Sequence, residues 1–182
     1  MRKVVFGCAL VAVLAAPGEA QRATQGKDVK YVRDSEEYAL ATRMIYRVAQ
    51  RAVLARKDSL PRGLAWAVVS DADETSLDNS AYQLELAAYG QPHDSALWNG
   101  FIRQRTSGAV PGAVEFARAV RQAGGHMVWI SDRPDALATD TRETLRKAGL
   151  WDDGDRLCLL ADDRGYTKAV RRGEVLAGTG RC

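Results

Sequence analysis

The run Leu64-Ala65-Trp66-Ala67-Val68-Val69-Ser70 has no polar alternation and stops abruptly at the acids Asp71, Asp73 and Glu74. A strand that is apolar on both faces must be covered on both faces, which is the condition of a parallel sheet flanked by helices. Two further runs fit the same description, His126-Met127-Val128-Trp129-Ile130 and Arg156 to Leu160. Between the runs the apolar positions change to helical spacing. Pro111-Gly112 opens a helix through Val114, Ala117 and Val120 that Gly124-Gly125 closes, and Leu137 to Gly149 forms a second. Strand, helix, strand, helix, strand predicts an α/β fold, a Rossmann-like doubly wound parallel sheet. The segment from about 76 to 110 interrupts this order. It is too long for a simple loop, so it predicts a small cap insert beside the strand ends.

Ahead of the first strand, Asp34 with Glu37 offers a capping-box start. Tyr38, Ala41, Ile45, Val48 and Ala52 then recur at helical spacing, with Met44, Ala49 and Val53 widening the apolar face. This predicts an amphipathic helix of roughly twenty residues whose apolar face must pack on another part of the chain. Ser59 to Gly63 ends it. Residues 21–33 are polar and read as a mobile lead-in.

The first twenty residues read as an address. Arg2 and Lys3 precede the apolar run Val4 to Ala16, and Gly18-Glu19-Ala20 supplies small residues for a signal peptidase. This is the pattern of a secretory signal peptide cleaved after Ala20, which implies a secreted or periplasmic protein. The apolar run falls short of the roughly twenty residues needed to span a bilayer, so no transmembrane span is expected. Phe6-Gly7-Cys8 faintly resembles a lipobox, but Cys8 comes too early in the run. Lys plus Arg is 26 against 23 Asp plus Glu, a net charge of +3, too small to predict a nucleic-acid partner. The chain contains three cysteines, which excludes a disulfide-dense scaffold and a multi-cysteine zinc site. Whether Cys158 and Cys182 pair is left open by the sequence.

Ligands of open α/β sheets bind at the carboxyl ends of the strands. Past those ends lie Asp71-Ala72-Asp73-Glu74-Thr75, then Ser131-Asp132-Arg133, then Lys168 within a later helix. These are the parts of a phosphoryl-transfer site. A phosphate ester repels nucleophiles, so a carboxylate that attacks phosphorus needs cations and donors around the transferred group. Asp71 can attack, and Asp73 can exchange protons with the leaving oxygen and with water. Ser131 and Lys168 can hold the non-bridging oxygens. A divalent cation is the usual remedy for two carboxylates set so close. Asp78 and Asn79 read as loop-shaping residues, His93 as a loop histidine and His126 as a strand start. Trp66, Trp129 and Trp151 read as packing residues. Asp152, Asp153 and Asp155 around Gly154, and Asp162-Asp163, read as solvated acidic turns.

The stretch Ala67 to Tyr82, with Asp71-Ala72-Asp73-Glu74-Thr75 at its centre, resembles the first motif of the haloacid dehalogenase-like phosphatases. More narrowly it resembles the class C nonspecific acid phosphatases, which include bacterial surface 5′-nucleotidase lipoproteins. Ala109 to Phe116, Lys168-Ala169-Val170-Arg171-Arg172 and the Tyr38-containing helix fit the same group, so the similarity covers about residues 35–176. The resemblance implies an acid phosphatase domain over 34–182 that hydrolyses small-molecule phosphomonoesters, nucleotides among them. It implies Asp71 as nucleophile, Asp73 as acid/base, and Ser131 and Lys168 as phosphate clamps. It also implies Mg²⁺ on the Asp71 carboxylate and the Asp73 carbonyl, and Trp98 as an aromatic surface for the substrate's base.

Two departures from the family pattern stand out. Asp132 occupies the place where the family usually has Asn. A fourth motif, G-D-x-x-x-D after a fourth core strand, has no counterpart, since Glu174 is the one acid after Asp163. Water would then replace a carboxylate around Mg²⁺. The expectation is a domain truncated before its fourth core strand, with Trp66 to Ser70 as an uncovered edge. The alternative reading is a catalytically silent phosphate- or nucleotide-binding protein.

Overall fold

Strand β4, His126–Pro134, organises the molecule. Alternate side chains of a strand point to opposite faces, and here both faces are covered. Met127 and Trp129 enter the main core, while Val128 and Ile130 enter a smaller cluster on the other side. Parallel neighbours flank β4: β1, Ala67–Asp71, on one edge and β5, Arg156–Leu160, on the other, in the order β1-β4-β5. The computed structural model describes residues 26–161 and 165–182. The leader read in residues 1–20, the start of the lead-in and the Asp162-Asp163 turn lie outside the described residues.

The main core is filled from α5, Ala113–Gln122, and α6, Ala138–Lys147, which follow β1 and β4. Phe116, Ala117, Val120 and Leu145 meet Met127 and Trp129 there. The opposite face is covered by α7, Lys168–Ala177, through Val175. Helices on two faces of a parallel sheet give the doubly wound architecture that the alternation predicts. Gly125, just before β4, is packed face-on by Trp66, and a Cβ there would come 2.6 Å from the indole ring. Gly125→Ala is therefore expected to destabilise the fold by about 1–3 kcal/mol, read as a lower urea midpoint.

Between β1 and α5 the chain forms β2, Leu77–Asp78, then α3, Ser80–Tyr89, and α4, Ser95–Gln104, then β3, Gly108–Ala109. β2 and β3 pair antiparallel, so the two helices rise from a short ribbon beside the end of β1. Asp94 caps α4 by accepting from Ala96 N and Leu97 N at 2.7 and 3.1 Å. Tyr82, Trp98 and Phe101 pack the two helices together, with ring centroids 4.9–5.7 Å apart.

Four expectations are corrected. The lead-in is helical from Lys27, as α1, Lys27–Asp34. Because α1 ends at Asp34, the cap of α2, Glu36–Asp58, falls on Ser35, whose Oγ accepts from Tyr38 N at 3.3 Å. The inward face of α2 keeps the predicted Ala49 and Val53 but is rotated away from Ile45 and Val48. Ile45 and Val48 are 65% and 60% exposed, and Tyr46, Ala49 and Val53 carry the packing against α5. Two local contacts fix that rotation. The Tyr46 hydroxyl donates to Thr75 O at 2.5 Å, and Gly112 (φ 95°) lets Arg43 and Tyr46 approach its backbone. Finally, Asp155 is no solvated turn residue. It is 6% exposed and accepts from Arg121, Met127 N, Trp129 Nε1 and Asp152 N.

Among the described residues nothing pairs with the outer edge of β1. An apolar groove of about 1020 Å³ runs along it, lined by Val53, Trp66, Val69, Val128 and Val175. No described helix is long and apolar enough to cross a membrane.

Candidate active site

Asp71 ends β1, and the next six residues turn back on themselves. Ser76 N and Leu77 N both donate to Ala72 O, at 2.9 and 2.7 Å, and the Ser76 hydroxyl donates to Asp71 O at 3.0 Å. Glu74 takes a left-handed conformation (φ 54°) at the tip. The turn is thus closed by its own backbone, and it presents Asp71 and Asp73 at the carboxyl end of the sheet.

The structure brings the predicted residues together. Asp71 is 36% exposed on its side chain, open enough to meet a ligand. Its Oδ1 accepts from Ala72 N and its Oδ2 from Lys168 Nζ, each at 2.9 Å. Lys168 is the first residue of α7, where the helix's partial positive charge adds to that of the ammonium. Ser131 is fully buried, and its hydroxyl donates to Asp73 Oδ2 at 2.7 Å. Trp98 joins the site indirectly. The Arg133 guanidinium lies over its ring, 5.4 Å from the centroid.

Arg133 belongs to the Ser131-Asp132-Arg133 motif, yet sequence reasoning assigns it no role. Its side chain is wholly buried, and it grips Asp73 with Nε and Nη2 at 2.9 and 2.7 Å from Oδ1. Asn79 completes the grip. Its Nδ2 donates to Asp73 Oδ1 at 2.9 Å, and its Oδ1 accepts from Arg133 and from the Ser107 hydroxyl. The signal that could have found Arg133 is alternation. β4 continues to Pro134, so Ser131 and Arg133 are strand residues that share a face.

Asp132 does not leave an uncompensated charge beside the pocket. It is paired with the buried guanidinium of Arg171 and lies 3.6 Å from Lys168. Arg171 Nη1 also donates to Ser131 O at 2.6 Å, so α7 is tied to the end of β4. Burial works against the charge of Lys168, but the hydrogen bond and charge of Asp71, with Asp132 behind, outweigh it and raise its pKa above the ordinary 10.5.

Among the described residues no group of three or more His, Cys, Asp or Glu could hold a metal ion. The Asp73 carboxylate is already engaged by Arg133, Ser131 and Asn79, so the side chain it leaves for a metal is Asp71. Mg²⁺ is commonly held through one or two carboxylates while keeping several waters. The donor set therefore fits a hydrated divalent ion rather than an enclosed one.

Solved structures share the fold. A class C acid phosphatase from Bacillus anthracis superposes with a TM-score of 0.72 at 22% identity. A second structure of a class C acid phosphatase from that organism, with tungstate bound, superposes with a TM-score of 0.70 at 21% identity. Each match covers 87% of this chain and 66% of the other, so the chain spans just under two thirds of their length. The sequence model of the HAD superfamily, subfamily IIIB (Acid phosphatase), matches residues 10–177 and so takes in every side chain of the Asp71 and Asp73 constellation. The chain belongs to that subfamily.

Proposed function

We propose that the chain is a phosphomonoester hydrolase of the acid phosphatase type that works through an aspartyl-phosphate on Asp71. The observation that carries this reading is the pairing of Asp71 with Lys168 beside an Asp73 held by Arg133, Ser131 and Asn79. One Asp71 oxygen attacks phosphorus, and the bond to the ester oxygen breaks. Asp73, in its protonated form, gives its proton to the leaving alcohol. Water then attacks the phospho-Asp71, Asp73 takes the proton of that water, and phosphate leaves with Asp71 regenerated.

The positioning groups have definite tasks. Lys168 moves its charge from Asp71 to the phosphoryl oxygens, and the same oxygens draw the Ser131 hydroxyl away from Asp73. That release frees Oδ2 of Asp73 for proton exchange. Arg133 and Asn79 keep Asp73 aimed throughout. Asp71 and the Asp73 carbonyl would hold Mg²⁺, which supplies charge neutralisation at the phosphoryl group. Trp98, already under the Arg133 guanidinium, would meet a nucleotide base with the part of its ring that remains exposed. The leader read in residues 1–20 supports export.

Lys168 gives the pH dependence a sign. Its folded pKa is raised, so its ion pair with Asp71 is complete below 10.5 and is lost as pH rises through the folded value. Both partners are about one-third exposed, so the pair contributes less than about 1 kcal/mol to stability. Affinity for inorganic phosphate is expected to fall only above about pH 10 through loss of the lysine charge. Lys168→Gln is expected to weaken that affinity at every lower pH, measured by calorimetric titration.

The direct assay is phosphate release from a chromogenic ester and from a nucleoside monophosphate, with Mg²⁺ and then with chelator. Metal-dependent turnover is expected. The second reading, a silent phosphate binder, draws on the missing cluster of metal ligands among the described residues. It predicts phosphate affinity without release.

A further inference from the structure

Cys158 and Cys182 are distant in sequence, and the fold puts them in one place. Cys158 lies buried in β5, on the sheet face opposite the main core, with Val128 and Ile130. After α7 the left-handed residues Gly178 (φ 64°) and Gly180 (φ 74°) turn the chain back toward that face. Cys182 and Val175 then pack against the cluster. Glu174 fixes the return. Its Oε2 accepts from the Tyr166 hydroxyl at 2.6 Å, from Arg181 N at 3.1 Å and from Cys182 N at 3.3 Å. The Tyr166 hydroxyl also lies 3.6 Å from Cys182 Sγ. Both cysteines are free thiols, and Cys182 packs against the buried cluster that contains Cys158.

We propose that Cys158 and Cys182 form a redox-sensitive pair, closing to a disulfide under thiol-oxidising conditions and fastening the segment after α7 to β5. The oxidant is a small-molecule disulfide such as oxidised glutathione. Cys182 is the partly exposed member, so its sulfur attacks first, forming a mixed disulfide and releasing one glutathione thiol. The Cys158 sulfur then attacks the Cys182 sulfur and releases the second. The two thiol protons and two electrons of the cysteine pair end on two glutathione molecules. Burial and the Cys182 contact push the Cys158 thiol up, which makes the second exchange the slow one. The helix enclosed by the new bond is α7, with Lys168 and Arg171, so the bond restrains the phosphate-clamping element as well.

The test uses the full chain, exposed to oxidised glutathione without reductant, then alkylated, digested and mapped by mass. The expected product is a monomer in which a Cys158 peptide is linked to a Cys182 peptide. Its melting midpoint is expected to exceed that of the reduced protein by roughly 6–12 °C. Cys182→Ser is expected to lose both the link and the increase. The proposal is overturned if both thiols remain alkylatable, if glutathione stays on Cys182 unresolved, or if Cys182 bridges two copies. Mass and melting are the readouts, so the result is independent of whether the chain hydrolyses phosphate.

Discussion

Asp71→Asn is expected to lower phosphate release by at least about 10⁴-fold while leaving the melting midpoint nearly unchanged. The amide keeps the shape of the carboxylate and can still accept from Ala72 N, but it is no nucleophile toward phosphorus. The lost pairing with Lys168 matters little to stability, because the side chains are 33% and 36% exposed and such pairs contribute about 0–1 kcal/mol. Chemistry and folding are thereby separated at this position. Stopped-time phosphate assays together with a thermal melt check both halves, and an active Asp71→Asn protein would remove the mechanism.

Arg133→Met is expected to affect both, destabilising the chain by about 3–5 kcal/mol as well as slowing turnover. The Arg133 side chain is wholly buried, and that of Asp73 is 20% exposed. Removing the guanidinium leaves the Asp73 carboxylate and the Asn79 amide oxygen without their shared donor, in a site with little water to replace it. Domain stabilities are about 5–15 kcal/mol, so this one change consumes a large share. Arg133→Lys keeps the charge but loses the planar fork, and an intermediate loss is expected. Urea unfolding measures the stability loss. The pH profile of turnover measures the mispositioning of Asp73, which a purely structural arginine would leave alone. A wild-type urea midpoint for Arg133→Met would contradict the assignment.

The contrast between these residues shows what a sequence can reveal. Asp71, Asp73, Ser131 and Lys168 are legible as one cluster because each follows an apolar run, at the carboxyl end of the sheet. Strands β1, β4 and β5 are legible because two-sided burial removes polar residues from them. Arg133 is different. It lies 60 residues from Asp73, and its role exists only through that contact. Asp155 reads as one acid among several in a turn, yet the chain folds Arg121 and the start of β4 onto it. The face of α2 is caught at Ala49 and Val53 but missed at Tyr46, for a related reason. Periodicity states that one side is apolar, but the Tyr46 anchor and the Gly112 approach decide which side turns inward.

In the proposed mechanism Asp71 carries the phosphoryl group. Acid quenching of the enzyme during turnover of an isotopically labelled phosphomonoester, with peptide mapping of the quenched protein, tests it directly. The expected result is label on the Asp71 peptide, and none on the Asp71→Asn protein. Steady turnover with the label on no residue, or on a residue other than Asp71, would contradict it.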